Sequence, residues 1–542
     1  MLGPVKRRVL GLFVVVVGAC SPAADTGAKA PTATDTVAAT APTTGFDAAM
    51  AQHWVEVGVE PVDAVDDATF LRRVTLDLWG RIPRPEEVTS FAADARPDKR
   101  ARRVDAMLAD RRWAEHWADS LTETLLGSAG ARLDARPSAG LSPWLADALH
   151  EGRGWDAITS DLLTATGDVT EGPATFVAVH GRKNRVEALT GQTARVFLGL
   201  SVQCAQCHDH PDDDRYTQRD FYGLAAAFAQ TKARRAPAGA FADAKARTFE
   251  VVDRPRGQMR MPRPDDGPGE RTGPLVMPRF PGLELAPRDG ETRRQALARA
   301  VVTSPLLDAA IVNRVWASLM SRGFVDPIDD LGAADDPRQP PPLRVLADEF
   351  ADHGRDLRWL ARRVVLSQAY QRASEGPADG ADARRRAFAQ FPVRPLTDDQ
   401  LLASLLVATG VDSSTDRRLR LRVALGKPKL QKQFAFVFDD DEMAAGADVG
   451  GTVPQALLLL NGELTSHGVL AGRDTSLARI LDAYDDPADR IDAMYVATLS
   501  RPPDDARRDQ LQAFVAGRGD APTAYEDLMH ALLTSAEFAT NH

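Results

Sequence analysis

Apolar residues recur three and four positions apart through most of the chain, and each run stops at glycine or proline. In "DATFLRRVTLDLWG" the residues Phe70, Leu71, Val74 and Leu78 share one helical face, and Gly80 with the Pro83/Pro85 pair ends it. Pro85-Glu86-Glu87 has the proline and first-turn acids of a new helix start. "RRWAEHWADSLTETLL" sets Trp113, Trp117, Leu121 and Leu125 along a second face, with His116 inside the helix. "SPWLADALHEGRGWDAITSDLLTATG" predicts two helices parted around Gly152-Arg153-Gly154, the first carrying His150. "VEALTGQTARVFLGLSVQC" predicts a helix running up to Cys204, with Val196, Phe197 and Leu200 on its apolar side. "RDFYGLAAAFAQT" restarts a helix beyond it.

The pattern changes over residues 236–290. There "ARTFEVVDRPRGQMRMP" predicts a short β-hairpin and "DDGPGERTGPLVMPRFPG" is irregular. Helical periodicity then returns. Two helices are split at Ser304-Pro305, the second reaching Gly323, and another pair is split at His353-Gly354. Thr397 followed by two acids predicts a capped helix start, and "PQALLLLNGEL" and "DPADRIDAMYVATLSRPP" continue the pattern. There is no βαβ alternation and no fixed repeat. The expected fold is mainly α: two helical domains, 47–235 and 291–542, joined by the irregular segment 236–290 with a little β.

The N-terminus departs from this pattern. Lys6, Arg7 and Arg8 precede an apolar run from Val9 to Val17, too short to span a bilayer and typical of an export signal. Val17-Gly18-Ala19-Cys20 resembles a bacterial lipobox, which makes Cys20 the expected lipidation site and residues 1–20 a lipoprotein signal; a plain secretory signal is the alternative. Residues 21–46, rich in Ala, Thr and Pro, bury too little apolar surface to offset chain entropy and are expected to be a disordered tether. The expected location is outside the cytoplasm, lipid-anchored at the outer membrane and facing the periplasm or cell surface. The chain's 542 residues and net charge of −10, without a basic tract, argue for an ordinary globular protein of several domains and against a nucleic-acid partner.

With Cys20 set aside, the remaining cysteines are Cys204 and Cys207, followed at once by His208. Cys-x-x-Cys-His is the attachment signature of c-type haem: two thiols on one turn reach two vinyl groups, and the adjoining imidazole becomes the proximal iron ligand. A second reading is a zinc or iron site built from Cys204, Cys207 and His208 or His210. A third is a redox CxxC, which lacks its usual βαβ setting here. His180, Met259, Met261 and Met277 are the candidates for a sixth iron ligand. The acid-rich stretches 326–337 and 438–442 do not have EF-hand spacing and are expected to be solvated loops or caps. Nucleophile elbows, Walker loops, dinucleotide fingerprints and H-E-x-x-H are absent.

Several of these segments together resemble a known family. "FLRRVTLDLWGRIPRPEEVTSFAAD" and "RVFLGLSVQCAQCHDHPDDDRYTQRDFYGLAAAFA" are similar to a planctomycete-type cytochrome-C-like domain of unknown function. "IVNRVWASLMSRGFVDPIDDLGAADDPRQPPPLRVLADEFADHGRDLRWLARRVVLSQAYQRAS", "RPLTDDQLLASLLVATG" and "TVPQALLLLNGE" are similar to its companion C-terminal domain. The chain departs from the pattern at Trp79, where a small polar residue is usual, and at Asp212, where an apolar one is. The resemblance implies architecture and the Cys204, Cys207, His208 motif; it carries no reaction with it. The functional expectation is electron transfer to an exported redox partner through haem. The alternative is a non-haem metal-binding or scaffold protein of an exported, polysaccharide-handling assembly.

Overall fold

In the computed structural model of the chain, the described residues are 45–131, 140–169, 172–181, 186–209, 215–235, 249–267, 270–415, 474–519 and 521–542. Cys20, the tether up to residue 44, the acidic stretch 438–442 and "PQALLLLNGEL" lie outside them.

The described residues are mainly helical. The first half contains α1 (Phe46–Glu56), α2 (Asp67–Trp79), α3 (Pro85–Ala93), α4 (Lys99–Ala109), α5 (Arg111–Ala131), α6 (Leu141–His150), α7 (Trp155–Thr164), α8 (Ala174–Gly181), α9 (Val186–Thr193) and α10 (Gln218–Ala225). After the connecting region come α11 (Arg293–Val302), α12 (Pro305–Met320), α13 (Pro341–Asp352), α14 (Leu357–Val365), α15 (Ala381–Arg386) and α16 (Asp398–Thr409). Four further helices, Ser476–Ala483, Pro487–Leu499, Asp505–Ala516 and Pro522–Leu533, close the described chain. Local chemistry explains the ends. Thr397 caps α16 by accepting from Gln400 N, while the Thr397 amide donates to Gln400 Oε1. Ser304 caps α12, which stops at Ser321, before Gly323, in a left-handed conformation.

The little β structure differs from the expected hairpin. The strand Phe249–Asp253 pairs antiparallel with the upstream strand Thr231–Arg235 and with Gly167–Asp168, and Met259–Arg260 pairs instead with Leu275–Val276. Val251 is the buried residue of the central strand, and this packing draws it away from the nearer segment.

The apolar core does not follow chain order. Phe46, Trp113, Trp155 and Phe197 belong to the same buried cluster as Trp316, Phe350 and Phe391. A second cluster joins Leu76 and Ile82 to Leu405, Met494, Tyr525 and Phe538. Helix α2 supplies both: Phe70, Leu71, Val74 and Leu78 face the first and Leu76 the second. Its two arginines are therefore buried as well, and backbone carbonyls from distant segments receive them. Arg72 donates to Thr498 O and Phe538 O at 3.0 Å, and Arg73 donates to Arg372 O at 3.0 Å and to Tyr370 O. Burial pulls both guanidiniums down to about 10.

Among the described residues no single helix is long and apolar enough to cross a membrane.

Candidate functional site

The helix expected to reach Cys204 ends five residues earlier. Helix α9 widens into a π-turn over Ala194–Leu198, and Gly199 then stops it at φ 62°, in the left-handed region glycine tolerates. A Cβ at Gly199 would lie 2.4 Å from Leu331 Cδ1, so the glycine also permits a close approach of the second half of the chain. Leu331 N donates to Gly199 O at 3.0 Å, and Leu200 forms a β-bridge with Asp330. The cysteine segment is thus hung from the 326–337 loop.

That loop is acid-rich, and arginines neutralise it. Asp329 pairs with Arg314, Asp330 with Arg338 at 2.7 Å, and Asp336 with Arg338 at 3.0 Å and Arg215 at 3.3 Å. The guanidinium of Arg338 holds the Asp336 carboxyl down at about 2. Arg215 lies just beyond the cysteine motif, so this ion-pair group ties the motif's far end to the same loop.

Cys204 occupies a separate 3₁₀ turn, Gln203–Gln206, with Cys207 at its C-cap. Val202 and Ala205 are buried and anchor the turn, while Cys204, Cys207, His208 and Asp209 are exposed. Both thiols are free. The Nδ1 of His208 is 2.6 Å from the carbonyl of Asp209. With Nδ1 protonated and donating there, Nε2 is the nitrogen left to take a ligand.

Helix α10 holds the turn from below. Gln218 donates through Nε2 to Cys207 O at 3.0 Å and Gln206 O at 3.2 Å, and its amide donates to Asp209 Oδ1 at 2.8 Å. Thr217 and Asp220 form a capping box at the start of α10, and Asp220 also pairs with Arg279 at 2.7 Å. Tyr222, buried on α10, has its phenol pushed up to about 12, first by burial and then by the neighbouring Cys207 sulfur. The strand pair Met259–Arg260 and Leu275–Val276 packs on the same helix.

The donor chemistry fits covalent haem: two exposed free thiols on one turn, and an imidazole oriented by a backbone carbonyl with its other nitrogen unengaged among the described residues. The sixth-ligand candidates fare differently. His180 is a core residue, packed edge-on to Phe176, with Nε2 2.9 Å from Leu125 O, and burial lowers its pKa to about 4. Met259 is buried and Met261 packs against the core, whereas Met277 is 68 % exposed. His210 falls outside the described residues. Among the described residues no group of three His, Cys, Asp or Glu side chains is arranged to hold a metal ion.

A feature that periodicity did not point to lies on α2. Asp77, deeply buried, accepts from the Tyr370 hydroxyl at 2.6 Å and from Asn541 Nδ2 at 2.9 Å, and pairs with Arg394. The only sequence signal for it was an acid flanked by Leu76 and Leu78.

Comparison with known families locates two matches on the chain. Residues 45–233 match the family model PSCyt2, described as a protein of unknown function (DUF1549), and residues 293–515 match PSD1, likewise a protein of unknown function (DUF1553). No curated protein and no solved structure matches the chain.

Proposed function

On the premise that this chain belongs to the paired planctomycete-type PSCyt2 and PSD1 families, we propose that Cys204, Cys207 and His208 hold a covalent haem. The protein then serves an exported redox partner in electron transfer. The observation that carries this reading is the exposed pair of free thiols beside an imidazole whose Nδ1 is engaged by the Asp209 carbonyl. Cys204 and Cys207 are the thioether-forming residues, and His208 offers Nε2 to the iron. Haem bound there supplies a one-electron couple at the protein surface. Gln218 and Asp209 keep the turn in one conformation, which limits the entropy lost when the thiols are fixed. On the same reading Cys20 carries the lipid, residues 21–46 act as the tether, and the outer membrane is the anchoring surface.

The test is expression with a cytochrome c maturation system, followed by mass spectrometry and absorption spectroscopy. Retention of haem mass under denaturation, a Soret band, and loss of both in the Cys204→Ser/Cys207→Ser variant are expected. Colourless protein holding about one equivalent of zinc or iron would transfer the proposal to the metal-binding scaffold reading. Cys20→Ala is expected to leave the membrane fraction; unchanged pelleting would remove the anchor.

A further inference from the structure

The Cys-x-x-Cys-His turn lies in the segment matched by PSCyt2, and the 326–337 loop lies in the segment matched by PSD1. The chain enters the turn at Gly199-Leu200 and leaves it at Arg215, and the loop holds both points. At the entrance Leu331 N donates to Gly199 O, and Leu200 forms its β-bridge with Asp330. At the exit Arg215 pairs with the Asp336 carboxylate at 3.3 Å.

One guanidinium joins the two ends. Arg338 donates through Nη1 to Asp330 Oδ2 at 2.7 Å. Through Nε and Nη2 it donates to the two carboxylate oxygens of Asp336 at 3.0 and 3.1 Å. Asp330 is the residue that bridges the entrance, and Asp336 is the residue that binds the exit. The planar fork of arginine suits this double task, whereas an ammonium would offer a single point charge. Gly332 leaves room for it: a Cβ there would lie 2.6 Å from Arg338 Nη2, on a backbone with φ 71°.

The second half of the chain also fixes the loop itself. Asn313, fully buried on α12, donates to Val325 O at 2.9 Å and Ile328 O at 3.3 Å, and accepts from Val325 N at 3.1 Å. Gln339 donates to Leu331 O at 3.0 Å and Ala333 O at 2.9 Å. Arg344 on α13 donates to Asp336 O at 2.8 Å. Arg314, beside Asn313, reaches the π-turn ahead of the cysteines and donates to Arg195 O at 3.3 Å while pairing with Asp329.

The Arg338 side chain is 46 % exposed and that of Asp330 51 %. Ion pairs this wet add little to global stability. Their effect is local: they fix the ends of the stretch from Leu200 to Arg215, which removes chain entropy that binding at the thiols would otherwise have to overcome.

We propose that the 326–337 loop is the positioning element of the Cys-x-x-Cys-His turn, and that Arg338 is the positioning residue that fixes its entrance relative to its exit. The loop acts on Cys204, Cys207 and His208 through the backbone. The inference therefore holds for haem and for a bare metal ion alike, and stands apart from the electron-transfer reading. It gives the PSD1 segment a task in this chain: ordering the motif that the PSCyt2 segment carries.

The test compares Arg338→Gln with Arg362→Gln in the full chain. Arg362 pairs with Asp105 at 2.6 Å, a half-exposed ion pair that also joins the two halves but through α14 and α4. In haem-free protein, hydrogen exchange over peptides covering residues 200–209 is expected to speed up about tenfold in Arg338→Gln and to keep the parent rate in Arg362→Gln. Arg215→Gln should give a similar rise, and the double variant no more than the larger single one, because both break one chain of ion pairs. Should Arg338→Gln lose its cooperative melt, Arg215→Gln, altered on the turn side alone, decides. In protein loaded by a cytochrome c maturation system, the ferric electron paramagnetic resonance signal, which reports how uniformly the imidazole sits on the iron, is expected to broaden in Arg338→Gln and not in Arg362→Gln. If no haem loads, the electron-transfer reading fails and the exchange rates still decide the positioning. Parent-rate exchange in both Arg338→Gln and Arg215→Gln, an equal rise in Arg362→Gln, full additivity in the double variant, or an unbroadened signal in loaded Arg338→Gln would each overturn the proposal.

Discussion

The hydroxyl of Tyr370 donates to Asp77 Oδ2 at 2.6 Å across a separation of 293 residues. Asp77 also receives Asn541 and Arg394, so one buried carboxylate links α2 to three distant segments of the second half of the chain. Burial raises the Tyr370 phenol well above its ordinary range, which keeps it protonated as the donor. Removing the carboxylate would leave a guanidinium, a hydroxyl and an amide without their acceptor. Asp77→Ala is therefore expected to cost about 3–5 kcal/mol and Tyr370→Phe about 1–2 kcal/mol, measured by urea unfolding. Equal losses for the two variants would contradict the role assigned to the carboxylate.

Gly199 sets where the cysteine segment leaves the helix. Alanine there meets both the left-handed φ of 62° and the Leu331 side chain. Gly199→Ala should destabilise the protein by roughly 2 kcal/mol or more, since the backbone strain alone is about 1–2 kcal/mol. Combining it with Leu331→Ala should give less than the sum of the single losses, because the clash is shared. Strict additivity in thermal unfolding would argue against the contact.

The haem-free chain presents Cys204 and Cys207 to solvent without a disulfide. Both should react with a maleimide in native buffer, as located by peptide mapping. Protection of either thiol until denaturant is added would show that the turn is covered.

His180 makes stability depend on acid. Its pKa falls from 6.5 to about 4 on burial, so between these values the unfolded chain binds the extra proton. Its contribution is complete above about pH 6.5 and is lost as pH drops through 4. At about 1.4 kcal/mol per pKa unit, this amounts to roughly 3 kcal/mol. Urea unfolding at pH 7, 5 and 4 should show that decline, and His180→Gln should flatten it; an unchanged slope in the variant would assign the acid sensitivity elsewhere.

Because Phe46, Trp155 and Phe197 share a core with Trp316 and Phe391, cutting the chain within the connecting region should not release two stable halves. Residues 45–290 expressed alone should show a non-cooperative thermal transition and bind a hydrophobic dye. A sharp transition in that fragment would mean that the first half closes its own core.

Much of the helical architecture follows from local chemistry and is legible in the sequence. The periodicity of Phe70, Leu71, Val74 and Leu78 marks α2, the Thr397 capping box starts α16, and Ser304-Pro305 separates α11 from α12. These signals act within a turn or two of chain. The motif Cys204, Cys207, His208 is equally local, and its residue types and spacing are visible without any fold. The rest depended on long-range packing. Sequence periodicity assigned one buried face to α2, yet contacts from both halves bury Arg72, Arg73 and Asp77 as well. The helix expected to reach Cys204 stops at Leu198, because Gly199 and Leu200 pair with Leu331 and Asp330, more than a hundred residues away. The strand Phe249–Asp253 finds its partners upstream for the same reason.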